Sequence, residues 1–248
     1  MKQSGFFIPV LSFLLTLSCG LGKQVGISFT DPCQTVLTSG KTTVCIDVIT
    51  KKMIRKETTG KTWFLSTRRD NQHYSPELAE KFVGTRILFK EGVIQNKTVI
   101  IHSIPSAYSE YDEFQKENGS NYIFVVEMGG LRIAHLGEIG QPELTEEQLR
   151  IIGPVDICFA PIENSHTDMS VENRKGFNLI NQINPKIVIP TIYRDRAVAY
   201  AQTQYPVKIT GKKSIIIRKR DLPEETTLLI MGPSAEALKS MLNLEEWR

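Results

Sequence analysis

The chain predicts an α/β layered domain on three observations. Short strand-like segments open it without an intervening helix, and apolar strands then alternate with punctuated helical segments in both halves. Residues 25–248 contain no Gly/Ser-rich or Pro-rich stretch that would divide them. At 248 residues one α/β unit with a large core is the reading the length favours.

The elements follow in order. VGISF, QTVLT and TTVCIDVIT are strand-like and are separated by Asp31-Pro32 and Ser39-Gly40, which predicts a β-meander. WFLST is a further strand. SPELAEKFVG carries Ser75 as N-cap, Pro76 at the first helical position, Glu77 and Glu80 early, and Gly84 as stop, so it predicts a short helix. RILFKEG and KTVIIHSI read as strands, and the polar SAYSEYDEFQKENGS, with no sustained period, as a surface flap. NYIFVVEMGG and LRIAHLG predict a hairpin about Gly129-Gly130, and TEEQLRII a helix capped by Thr145. VDICFAPI is a buried strand, KGFNLINQIN a helix and KIVIPTIY a second buried strand. SIIIRKR and TTLLIM add two strands, and PSAEALKSMLNLEEW a final helix.

Thirty basic and 27 acidic residues leave a net charge of +3, spread along the chain without runs. A nucleic-acid or other polyanionic partner is not indicated. The start, MKQSGFFIPVLSFLLTLSC, pairs Lys2 with an apolar run from Phe6 to Leu17. That run is shorter than the roughly 20 residues that span a bilayer and ends in small residues, as a secretory signal does. Residues 1–19 are thus expected to be a signal peptide, 20–24 a short linker and 25–248 the domain.

Thr16-Leu17-Ser18-Cys19-Gly20 resembles the lipobox of bacterial lipoproteins, with Thr16 where leucine is usual. The resemblance implies lipidation at Cys19 and anchoring to a bacterial membrane on its periplasmic or extracellular side. A simple cleaved signal is the alternative. The remaining cysteines, Cys33, Cys45 and Cys158, are odd in number, which argues against a disulfide-built fold. Cys33 and Cys45 flank a turn and either face each other across a hairpin or are small buried thiols.

Three stretches carry a family likeness: NYIFVVEMGGLRIAHLGEIG, LTEEQLRIIGPVDICFAPIENSHT and NPKIVIPTIY. Together they resemble the metallo-β-lactamase fold hydrolases, in particular the branch that contains ascorbate-phosphate lactonase. VGISFTDPC and KTTVCIDV are similar to that family's start, and ITGKKSIIIRKRDLPEETTLLIM to its end. The resemblance implies a single-domain, four-layer αβ/βα sandwich with its active site at one edge.

It also implies where a metal centre would lie. Members hold one or two metals, commonly zinc, through a His-x-His-x-Asp-His loop, a lone histidine, an aspartate after glycine and a late histidine. Imidazoles and a bridging carboxylate hold dications close together and turn a shared water into a nucleophile near neutral pH. Here the loop is Arg68-Arg69-Asp70-Asn71-Gln72-His73, so only His73 stands in register. Tyr108 takes the place of the lone histidine, Glu138 that of the aspartate and Ile192 that of the late histidine, while Asp31 lies near the family's opening Gly-His. The comparison implies a largely lost centre.

Asp70, His73 and Glu138 are the donors that the aligned positions offer at best, and Arg68 sits beside them. A guanidinium cannot ligate a metal. Arg68 is therefore expected to fill the vacated cavity and neutralise Glu138 or Asp70, with no cofactor bound. On the alternative, zinc would be held by Asp70, His73, Glu138 and His166. His135 is read as a packed, hydrogen-bonded residue lining the site and His102 as an ordinary paired histidine. His166 and Asp168 lie in a loop that either approaches a ligand or is simply solvated.

Arg68 and Arg69 suit a phosphate or carboxylate, and Tyr108, Tyr111 and Tyr122 could wall a sugar or peptide. The expected function is non-catalytic: binding a small anionic ligand or an envelope protein, or a structural role. The alternative is a metal-dependent hydrolase of lactonase or phosphoester type with a rearranged site.

Overall fold

The computed structural model describes residues 23–30, 34–50, 61–81, 84–110, 112, 120–232 and 245–246. Two sheets face each other. The first is built from β1 (Gln24–Thr30), β2 (Gln34–Ser39), β3 (Thr42–Ile46), β4 (Lys61–Ser66) and β5 (Thr85–Leu88), after the helix α1 (Pro76–Lys81). The second contains β6 (Gly92–Gln95), β7 (Val99–Ser106), β8 (Asn121–Met128), β9 (Leu131–His135), β10 (Ile157–Ala160) and β11 (Ile187–Pro190). Between these strands run α2 (Glu146–Ile152) and α3 (Lys175–Ile183). The chain closes with α4 (Asp195–Ala201), β12 (Val207–Ile209), β13 (Ser214–Arg218), β14 (Thr227–Ile230) and β15 (Glu245–Glu246).

The sheet orders are β13-β1-β2-β3-β4-β5 and β15-β12-β14-β11-β10-β9-β8-β7-β6. From β6 to β9 the pairs are antiparallel, and from β9 through β10, β11 and β14 to β12 they are parallel. Strands such as ICFA and IVIP, buried at every position, fit that parallel core because both their faces are covered.

Three apolar clusters fill the layers. Between the sheets pack Ile27, Leu37, Leu65, Ile101, Phe124, Phe159 and their neighbours. On the outer face of the second sheet lie Phe177, Ile180, Val198 and Ala201 from the helices, over Val125, Ala134, Cys158 and Val188. Outside the first sheet Leu78 and Ala79 of α1 cover Cys45 and Phe64. The order is helix, sheet, sheet, helices, the four-layer sandwich that the resemblance implied.

The punctuated elements stand where expected. Thr145 and Gln148 close a capping box at α2, each side chain bonded to the other's backbone N–H, an arrangement contributing about 1 kcal/mol. Ser75 Oγ accepts from Leu78 N–H at 3.2 Å at the start of α1. Cys45 and Cys158 are free, buried thiols, and burial pushes Cys45 up to about 12. Cys33 lies outside the described residues.

Three readings need correction. RILFKEG is not one strand: β5 ends at Leu88 in the first sheet, and β6 begins at Gly92 in the second. Phe89, with a φ of 52°, turns the chain between them. The stretch after KIVIPTIY holds α4 and β12, neither of which was expected. Of the expected final helix, residues 233–244 lie outside the described set, and Glu245–Glu246 pair as a strand with β12. The expected signal and anchor, residues 1–22 with Cys19, also lie outside it, as do Asp31 and Tyr111. No described helix is long and apolar enough to cross a membrane.

Candidate metal centre and its arginine

The centre lies where the loops after β4, β7, β9 and β10 meet at one edge of the sandwich. The root of the first loop is pinned by a residue that the sequence reading passed over. Asp47, fully buried, accepts from Thr67 N–H and from Thr67 Oγ–H, both at 2.7 Å. Burial pushes its carboxyl up to about 6, against the charge of His73 and the two Thr67 hydrogen bonds. The backbone of Tyr122 in the facing sheet donates to Thr67 O at 3.0 Å, which ties the two sheets together beside the centre.

Beyond Thr67 the loop folds on itself. His73 N–H and Tyr74 N–H donate to Asp70 O, and Gln72 N–H to Asp70 Oδ1 at 3.0 Å. This turn sets His73 Nδ1 2.7 Å from Asp70 Oδ1, with the imidazole buried and its Nε2 3.8 Å from Glu138 Oε2. Burial alone would raise the Asp70 carboxyl. Its hydrogen bond with His73 and the nearby charges of His73 and Arg68 hold it below the usual range.

Glu138 is placed from the other side by Asn121, also absent from the expectations. Asn121 Oδ1 accepts from Glu138 N–H at 3.0 Å, while Asn121 Nδ2 donates to Ser106 Oγ and Leu136 O. At Gly137, with a φ of 66°, a Cβ would stand 2.4 Å from that Asn121 oxygen, so the close approach requires glycine. Asn164 Nδ2 donates to Glu138 Oε1 at 2.9 Å.

Arg68 completes the cluster. Its Nη1 donates to Glu138 Oε2 at 2.7 Å, and its Nε lies 3.0 Å from Asp70 Oδ2. The Tyr108 ring covers it, 3.4 Å from the guanidinium carbon. Tyr108 is itself held close: a Cβ on Gly140 would fall 1.8 Å from the Tyr108 carbonyl oxygen.

The other candidates are set apart. His166 is exposed and binds Asn164 through its backbone N–H, and Asp168 pairs with Lys175 at 3.3 Å. Neither joins the cluster of donors. Gln72 is exposed. Ile192 contributes its backbone carbonyl, which accepts from Ile162 and Glu163. His135 is buried and stacks on Phe159 at 5.4 Å, its Nδ1 accepting from Gly137 N–H. His102 lies on β7, 3.8 Å from Glu127, and burial moves it below the ordinary histidine value.

Whether these residues fit a dication turns on Arg68. Asp70, His73 and Glu138 each offer a donor, all within 4.8 Å of one another, and three donors satisfy zinc in number. This group counts against the expectation that no metal is held. Yet Glu138 Oε2 accepts from the guanidinium, Asp70 Oδ2 is ion-paired with it at 3.0 Å, and Asp70 Oδ1 is bonded to the imidazole. A cation between the three would press on a side chain of like charge. The donors suffice, but they do not fit a resident dication while Arg68 keeps this place.

Comparison with known proteins supplies the class. The family model for the beta-lactamase superfamily domain matches residues 27–192, and the chain belongs to that superfamily. A UPF0173 metal-dependent hydrolase of Pyrococcus furiosus is 26% identical over 142 residues, 56% of this chain and 61% of that protein. Its counterpart from Pyrococcus abyssi is 25% identical over the same length. The chain thus spans about three fifths of the length of these curated relatives. A metallo-beta-lactamase superfamily structure from Thermotoga maritima superposes with a TM-score of 0.58 at 16% identity, covering 84% of this chain and 98% of that one. The metallo hydrolase Igni18 of Ignicoccus hospitalis gives 0.50 at 17%, covering 69% and 83%. At such identities the likeness is one of fold.

Proposed function

We propose that the chain is an exported, lipid-anchored protein of this superfamily that binds a small anionic ligand, its former metal seat taken by Arg68. One observation carries the reading: the guanidinium bonded to Glu138 and Asp70 beneath Tyr108. A single permanent charge there pairs the buried Glu138 carboxylate, which would otherwise need an ion, and the partly exposed Asp70 beside it.

A second reading is a metal-dependent hydrolase of lactonase or phosphoester type. It is favoured by the names of the Pyrococcus relatives and by the three-donor group. His73 Nε2 and Glu138 Oε2, 3.8 Å apart, could also both reach one ion at about 2.1 Å each. The relatives and the three-donor group thus favour the second reading, and the place of the Arg68 guanidinium the first. We weight the arginine, because it pairs with two of the three donors and this chain offers one imidazole where the fold family uses several.

Metal content and melting temperature, measured for wild-type protein and Arg68→Met with and without zinc, separate the two. Wild-type protein is expected to hold no stoichiometric zinc and to melt at the same temperature with zinc or chelator. Arg68→Met, with Glu138 left uncompensated, should lose about 3–5 kcal/mol. Zinc should then restore about 2.7 kcal/mol at a hundredfold excess over its Kd. One zinc per wild-type chain, with a melt lowered by chelator, would establish the hydrolase reading instead.

A further inference from the structure

We propose that the cavity beside the centre, at the corner where the chain passes from one sheet to the other, binds a small organic carboxylate through Arg69. The inference deepens the reading of an anion-binding protein and rests on it. The cavity measures about 530 Å³, within the range of small-molecule sites, and its walls include Thr67, Arg69, Phe89, Ser120 and Tyr122.

Charge separates its two arginines. Arg68 also borders the cavity, but two carboxylates already hold it. Arg69, an exposed residue, has no carboxylate partner among the described residues, so its guanidinium is the one left at the cavity wall for an anion. That group lies over the Phe89 ring, 4.9 Å from its centroid. A cation–π contact of this kind uses the ring face and takes up none of the guanidinium's hydrogen bonds, whose fork matches a carboxylate in two parallel N–H···O bonds.

Phe89 supplies the second observation. A bulky residue at a φ of 52° is uncommon and costly, and glycine would turn this corner without strain. The surroundings hold the conformation nonetheless. Tyr122 O–H donates to Phe89 O at 3.0 Å, and Tyr74 meets the ring edge-on at 5.3 Å. The strained turn keeps an aromatic platform under Arg69.

The class of ligand follows from charge and size. Asp70 borders the cavity with Glu138 just behind Arg68, and these two carboxylates repel a dianion about twice as strongly as a monoanion. A bare inorganic ion would leave most of the volume to water, whereas an organic acid places its body along Phe89 and Tyr122.

Isothermal titration with benzoate, inorganic phosphate and benzyl alcohol tests this on the wild-type protein, Arg69→Gln and Phe89→Leu, each variant checked by its melting curve. Benzoate should bind saturably, one per chain, and at least about tenfold more tightly than either control. Arg69→Gln should weaken it by about tenfold or more and Phe89→Leu by about threefold, with folding retained. Phosphate binding as tightly as benzoate overturns the organic class. No saturable benzoate binding to folded wild-type protein, or unchanged binding by folded Arg69→Gln, overturns the site. Zinc uptake by the wild-type protein is a separate readout, so failure of the metal-free reading and failure of this site cannot be confused.

Discussion

Arg68 and Asp47 are two ionisable residues under one loop, and they answer burial in opposite ways. Arg68 takes carboxylate partners, whereas Asp47, fully buried and hydrogen-bonded through its carboxyl to Thr67, shifts that carboxyl up to about 6. A folded-state value above the unfolded one means that the acid is preferred protonated in the fold. Its contribution to stability is present below about pH 4 and is lost as pH rises through about 6. Asp70, held low, contributes in the reverse sense, above the ordinary carboxylate range and lost on acidification. Melting temperature measured against pH should therefore fall between pH 4 and 6 more in wild-type protein than in Asp47→Asn. Equal slopes would remove Asp47 from the account. At this scale the sequence was informative for Arg68, Asp70, His73 and Glu138, because charge and order in the loop constrain them directly. It was silent on Asp47 and Asn121. An aspartate ending TTVCID and an asparagine opening NYIFVVEM read as strand punctuation, and only the third dimension brings them beneath the centre.

At the scale of elements, the loop after β7 is tied down from below. Lys175, buried at the start of α3, reaches Glu110 at 2.9 Å and Asp168 at 3.3 Å, and so joins the Tyr108 loop to the loop after β10. Burial alone would lower the lysine, but the two carboxylates raise it above its ordinary value. Lys175→Met should cost about 1–3 kcal/mol and speed hydrogen exchange at residues 108–110. Unchanged exchange there would show that the Tyr108 loop holds itself. Elements were legible where local chemistry marks their ends: the capping box of α2, the Gly129-Gly130 turn, the Ser75 cap. The break between β5 and β6 was not, because Phe89 does there what glycine or proline usually announces. β12, three residues long, carries too little pattern to show a period.

Across the whole molecule the two sheets share one apolar layer, and Phe159 sits in it between Phe29 of the first sheet and His135 of the second. Phe159→Ala should cost about 3–5 kcal/mol, and both sheets should melt in one transition. Two separate transitions in calorimetry would show that the sheets unfold independently. The layered architecture was readable from strand and helix alternation together with the family likeness, whereas the pairing of β13 with β1 depends on contacts across nearly the whole chain.

The Arg68 bridge has one further consequence. A cation written into the polypeptide is delivered at translation, in fixed stoichiometry, and no scavenger can strip it. On the proposed reading the protein would mature identically in metal-starved and metal-replete surroundings, and its occupancy would be set by the gene alone.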